Sequence, residues 1–151
     1  RVRSSAASDV YKRQVFMLER MSLFVLGGGG YLGIELAWRG STHWTMFLAG
    51  GLCLCFLQAL ASRRMALPLA AGVGAAGVSG LEAVVGVLCR RFLHVAVWDY
   101  SAEWGNLAGL ICPRYCFYWF LLCGWVVAVL RLASWTTNSP FYRTKRAAVK
   151  T

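Results

Sequence analysis

Charge is what this sequence has least of. Only 15% of its 151 residues are charged, and only six are acidic. Soluble domains run near ~25% charged. The chain is 58% hydrophobic, with a mean hydropathy of +0.54. At this length it has too few polar residues to cover its own apolar surface in water, which excludes an ordinary soluble domain. A bilayer removes the conflict, because lipid is itself the apolar solvent. The chain reads as an integral membrane protein with the lipid bilayer as its first partner.

Other absences narrow the chemistry. There are only two histidines, and none pairs with the cysteines at zinc-ligand spacing. No metal site is expected. H-E-x-x-H, G-x-S-x-G and Walker A motifs are all missing, and nothing supplies an activated nucleophile. No enzyme activity and no cofactor are expected. Gly28, Gly30 and Gly33 do fit the dinucleotide pattern G-x-G-x-x-G. That fingerprint needs an acid about 20 residues further on, and Cys53 stands there, inside an apolar run. The six cysteines, Cys53, Cys55, Cys89, Cys112, Cys116 and Cys123, read as small membrane-buried side chains.

What is present is a set of four apolar segments, at 21–38, Thr45–Ala61, Leu67–Leu88 and 115–133. They imply an all-α fold, a polytopic transmembrane helix bundle of about four spans. The piece 107–112, "LAGLIC", is apolar but too short to cross. It is expected either as a re-entrant or interfacial helix, or as the first turns of a last helix bent at Pro113.

Residues 4–14, "SSAASDVYKRQ", resemble a translated sequencing adapter, and 1–14 are expected to be a non-native extension. Setting them aside removes four basic residues and Asp9, so the formal charge of +10 falls to +7. The transmembrane domain is then 15–135, followed by a basic tail at 136–151 that is expected to be disordered. Arg20, Arg63, Arg64 and the tail fall on one side of a four-span topology. The positive-inside rule makes that side, and both termini, cytoplasmic. A basic stretch directly after a membrane helix fits a topogenic or lipid-facing role, so no nucleic-acid partner is expected.

Gly29 and Gly33 form G-x-x-x-G, and Gly72, Ala76 and Gly80 repeat small residues every fourth position. Both stripes are expected to pack helix on helix. Trp38, Trp44, Trp98, Tyr100 and Trp104 suit the aromatic belt at the membrane–water interface.

Ionisable residues inside membrane segments are expensive and are functional suspects by default. Glu35 and Arg39 are four apart and share a helix face, with the acid first, the better order for pairing. They read either as a structural pair ending the first span or as a polar site facing a cavity. Glu82 has no base three or four residues away, so it needs a partner on another helix. Arg39 is a candidate, as are Gln58, His43 and Asn106. His43 reads as an interfacial histidine with a backbone partner, or as a relay. Asp99 either caps a following turn or joins a cluster with Glu35 and Arg39. The expected polar cluster is therefore Glu35, Arg39, His43, Glu82, Asp99 and Asn106.

The stretches "YLGIELAWRGSTHWTMFLAGGLCLCFL" and "LEAVVGVLCRRFLHVAVWDYSAEWGNLAGLIC" resemble the ABC-transporter permease family of small CmpB-like bacterial membrane proteins. E-L-x-W-R-G-x-T/S-H-W, M-F-x-x-G-G and V-W-D-Y-S carry the resemblance, and Leu110 departs from it where the family has Gln. The resemblance implies transport, a bacterial inner-membrane location and a separate ATPase subunit, since no nucleotide-binding motif is present. Four spans are few for a transport path, which implies a homo-oligomer or a larger complex.

Overall fold

The structure is a computed structural model, and it describes residues 2–137. Four α-helices follow in order: α1 (Val2–Arg39), α2 (Thr45–Ala61), α3 (Leu67–Leu88) and α4 (Pro113–Thr137). The protein is all-α, as its composition requires. The basic tail, from 138 onward, lies outside the described residues.

Three helical stretches are long and apolar enough to cross a membrane: Phe16–Arg39, Leu67–Leu93 and Pro113–Trp135. Helix α2 has 17 residues, roughly 26 Å of helix against a hydrocarbon core of ~30 Å. Large apolar side chains point outward along these helices, among them Leu26, Leu121, Trp125 and Leu132, each more than half exposed. Water penalises such a surface and lipid does not.

Helix ends follow local chemistry. Gly40 ends α1 in the left-handed region at φ 69°, with its N–H bonded to the Leu36 carbonyl at 2.9 Å. Glycine adopts that conformation without a Cβ penalty. Helix α3 widens into one π-turn, Cys89–Leu93, and stops at His94, which is also left-handed. Pro113 opens α4 where a missing N–H costs nothing.

The chain forms two compact units. Among the described residues, one comprises 2–55 and 85–97, the other 56–84 and 98–137, so α2 and α3 contribute to both.

In the first unit, glycines bring α1 and α2 to backbone distance. A methyl added at Gly27 would stand 2.5 Å from the Gly50 carbonyl oxygen, and one at Gly28 2.6 Å from the Phe47 carbonyl oxygen. Gly51 lies under the Phe24 ring, and Phe24 meets Phe47 edge-on at 5.9 Å. In the second unit, Leu57 and Leu60 of α2, Ala70, Ala71 and Val78 of α3, and Cys123 and Val127 of α4 form the buried core. A methyl at Gly74 would meet Cys123 Cβ at 2.9 Å, and one at Gly124 would meet Ala71 Cβ at 3.3 Å. Small residues do the packing in both units, as in membrane bundles generally.

They are not the small residues the sequence suggested. A methyl at Gly29, Gly33, Gly72 or Gly80 would meet nothing within 4 Å, and Ala76 is exposed. The physical reason is helical phase. The inward line of α1 runs through Phe24, Gly28, Tyr31 and Glu35; 29 lies one residue and 33 two residues from the nearest of these, which turns both away from it. Four consecutive glycines put a small residue on every face of the helix, and the partner helix decides which is used.

Residues 107–112 are neither re-entrant helix nor the start of α4. They form a tight turn closed by an antiparallel bridge between Leu107 and Ile111.

Candidate functional site

The end of α1 builds the most concentrated polar site. Glu35 lies on the inward line of the helix and is only 7% exposed. Arg39, one turn on, places Nη1 3.0 Å from Glu35 Oε1. The left-handed turn at Gly40 then reverses the chain. Thr42 returns over the helix end and donates its hydroxyl to the other oxygen, Glu35 Oε2. The second arm of the guanidinium, Nη2, donates to the Val97 carbonyl at 2.9 Å. One carboxylate is held by two side-chain donors, and one arginine ties α1 to the irregular segment after α3. The arginine side chain remains 36% exposed, so the site has a buried acid and an accessible base.

His43 prepares the start of α2. Its Nδ1 accepts the Thr45 N–H at 3.4 Å and lies 2.8 Å from Thr45 Oγ1, while its carbonyl accepts the Met46 N–H. These contacts satisfy N–H groups that a helix start leaves without intrahelical partners. Thr45 also accepts from buried Cys89 at 3.9 Å.

The second unit holds Glu82, 7% exposed on α3. Trp119 of α4 donates its indole N–H to Glu82 Oε2 at 2.8 Å. One turn earlier on each helix, Ser79 Oγ and Cys116 Sγ lie 3.4 Å apart. Together these contacts make a polar seam in an otherwise apolar interface.

Between α3 and α4 the chain knots into a small loop. Trp98 is buried inside it and donates Nε1–H to the Leu110 carbonyl at 3.2 Å. Asp99 accepts from the Ser101 N–H and hydroxyl, a local side-chain-to-backbone turn contact. Asn106 donates to the Ser101 and Glu103 carbonyls and accepts the Gly109 N–H. Tyr100 stacks on Tyr115 with ring centres 4.4 Å apart, and Glu103 pairs with Arg114 at 3.2 Å. Both contacts pin the loop to the first turn of α4.

The six expected cluster residues are thus distributed. Glu35, Arg39 and His43 stand in the first unit, with Glu35 and Arg39 in direct contact. Glu82, Asp99 and Asn106 stand in the second, where Asp99 and Asn106 share the loop through Ser101. Of the suggested interface aromatics, Trp38, Trp44 and Trp104 are well exposed, while Trp98 is loop core and Tyr100 is stacked. No group of three or more histidine, cysteine or acidic residues among the described residues is placed to hold a metal. None of the described cysteines forms a disulfide.

Several partners escaped the sequence reading. Thr42 had a signal, because a glycine directly after Arg39 ends the helix and sends the next residues back. Trp119 and Cys116 had none, since their partners are set by the sliding of α4 on α3.

Long apolar helices with lipid-suited surfaces and polar groups spent inside the fold define a multi-pass membrane protein. A family model described as "Putative ABC-transporter type IV" matches residues 37–147, well over half of the chain. The chain belongs to that family. The match covers Arg39, Thr42, His43, Glu82 and the 98–112 loop, and begins two residues after Glu35. No curated protein and no solved structure matches.

Proposed function

We propose that the chain is a permease-type membrane subunit of a transporter, without catalysis of its own, powered by a separate ATPase. Family membership supports the transporter setting. The observation that carries the site is the Glu35–Arg39–Thr42 group, with its buried acid and half-open base. Such a pair can exchange an internal partner for a charged or strongly hydrogen-bonding solute, the carboxylate keeping Thr42 while the guanidinium turns outward and the solute offsets the lost pairing. Glu82, Asp99 and Asn106 are proposed as the polar residues of the second unit, and the protein is placed in a bacterial inner membrane with both termini cytoplasmic. Four crossings, with α2 as the short one, then require a second copy or a larger complex around the path.

The test is the variant Glu35→Gln. Uptake of a panel of small charged solutes into membrane vesicles should fall while abundance and fold persist. Unchanged uptake in a folded variant contradicts the role.

One observation favours a second reading, a structural or interaction protein in which the same residues fix helix packing. No buried side-chain nitrogen or oxygen among the described residues lacks a hydrogen-bond partner. On that reading Glu35→Gln removes the protein from the membrane instead of silencing it.

A further inference from the structure

The turn between α2 and α3 carries a concentration of positive charge that the transport site does not use. Its backbone is fixed from within and from α4. Ser62 and Arg63 donate their N–H groups to Gln58 and Leu60, and Met65 donates to the Arg63 carbonyl. Arg131, six residues before the end of α4, reaches into the turn. Its Nε lies 3.3 Å from the Ala61 carbonyl, and its Nη2 lies 3.3 Å from the Arg63 carbonyl and 3.0 Å from that of Met65. The guanidinium satisfies carbonyls that the end of α2 leaves without intrahelical donors, and it holds the turn in one shape. Arg63 and Arg64 then stand exposed on a fixed base.

Among the described residues of this unit, no acidic side chain lies near the three guanidinium groups. Glu82 lies some 22 Å up α3 from its start, and Asp99 and Glu103 precede α4, whose length separates them from Arg131 by about 27 Å. The surroundings are apolar and open. Leu69 is 57% exposed, and Leu132 and Trp135, just beyond Arg131, are 60% and 73% exposed. A cationic head end beside bare apolar side chains at the end of membrane helices matches an amphiphile with an anionic head. A soluble polyanion would leave Leu69, Leu132 and Trp135 uncovered.

We propose that this turn is a docking site for the phosphate of an anionic phospholipid, with Arg63 and Arg64 contacting the headgroup. Arg131 acts as a positioning residue, and the exposed leucines and tryptophan contact the acyl region. Juxtamembrane basic residues typically gain ~1 kcal/mol each near an anionic surface, a factor of about five in retention per arginine.

The experiment uses the full chain in nanodiscs of phosphatidylcholine with and without phosphatidylglycerol, with retained lipid counted by native mass spectrometry. Phosphatidylglycerol should be enriched over phosphatidylcholine, and the enrichment should fall with salt. The double variant Arg63→Gln/Arg64→Gln should lose roughly 25- to 30-fold of that enrichment while its thermal stability in phosphatidylcholine is unchanged. Arg131→Lys keeps the charge but loses the forked geometry, and should reduce enrichment with both other arginines in place. Millimolar inorganic phosphate should not displace the lipid. Equal retention of the two lipids, no effect of the double variant, displacement by free phosphate, or an acidic protein held by the pair in place of lipid would each overturn the assignment.

Discussion

Trp119 and Glu82 meet across the α3–α4 interface, with the indole N–H 2.8 Å from a carboxylate oxygen that is shielded from solvent. A neutral donor thus serves a buried acid where the sequence had suggested a base. Trp119→Phe keeps the ring packing and removes the donor. Losing a donor to a buried acceptor costs ~1–3 kcal/mol, so the thermal midpoint in detergent should fall clearly. Glu82→Gln retains an acceptor and should cost less than Trp119→Phe. A reversed order would contradict the contact.

The glycine phase gives a sharp comparison. Gly28→Ala and Gly50→Ala force a methyl into backbone or aromatic atoms of the neighbouring helix, and overpacking of this kind costs ~1–3 kcal/mol. Gly29→Ala and Gly33→Ala enter open space. There alanine is the better helix former by roughly 0.5–1 kcal/mol, so stability should hold or rise. Folded yield and melting in detergent check both pairs.

That contrast marks how far the sequence could be read. The bounds of α2 and α3 follow from hydropathy and from the turn residues between them, and the structure has them at Thr45–Ala61 and Leu67–Leu88. The Glu35–Arg39 pair was legible because its spacing lies within one helix. The contacts of Gly28, Trp119 and Arg131 were not, since each depends on how one helix slides and turns against another. The 107–112 turn was hidden for a different reason. Its apolar composition resembles a helix, and only the hydrogen bonds of Asn106 and Trp98 show a compact loop.

Trp98 and Trp104 should behave as opposites. Trp98→Ala empties the loop core and removes its bond to Leu110. Large aromatic truncations in cores cost ~3–5 kcal/mol, so amide exchange across 98–112 should accelerate. Trp104 is 86% exposed, and Trp104→Ala should leave exchange in the loop unchanged.

Thr42 is predicted to be a true partner of Glu35. Thr42→Val removes the hydroxyl donor at nearly constant volume and should lower stability by ~1–3 kcal/mol, whereas Thr42→Ser should restore most of it. Equal melting of all three proteins would show that the hydroxyl contributes nothing to holding the acid.

The central claim is that this membrane protein works as the permease-type part of an ATP-driven transporter. The direct measurement is purification of the full chain from its native membrane in mild detergent, followed by protein identification and an ATP hydrolysis assay. The account predicts an ATPase subunit in fixed ratio to the chain, with hydrolysis that Glu35→Gln alters without dissociating the complex. A chain that purifies free of any ATPase from intact membranes, with no hydrolysis under conditions that preserve membrane complexes, would contradict it.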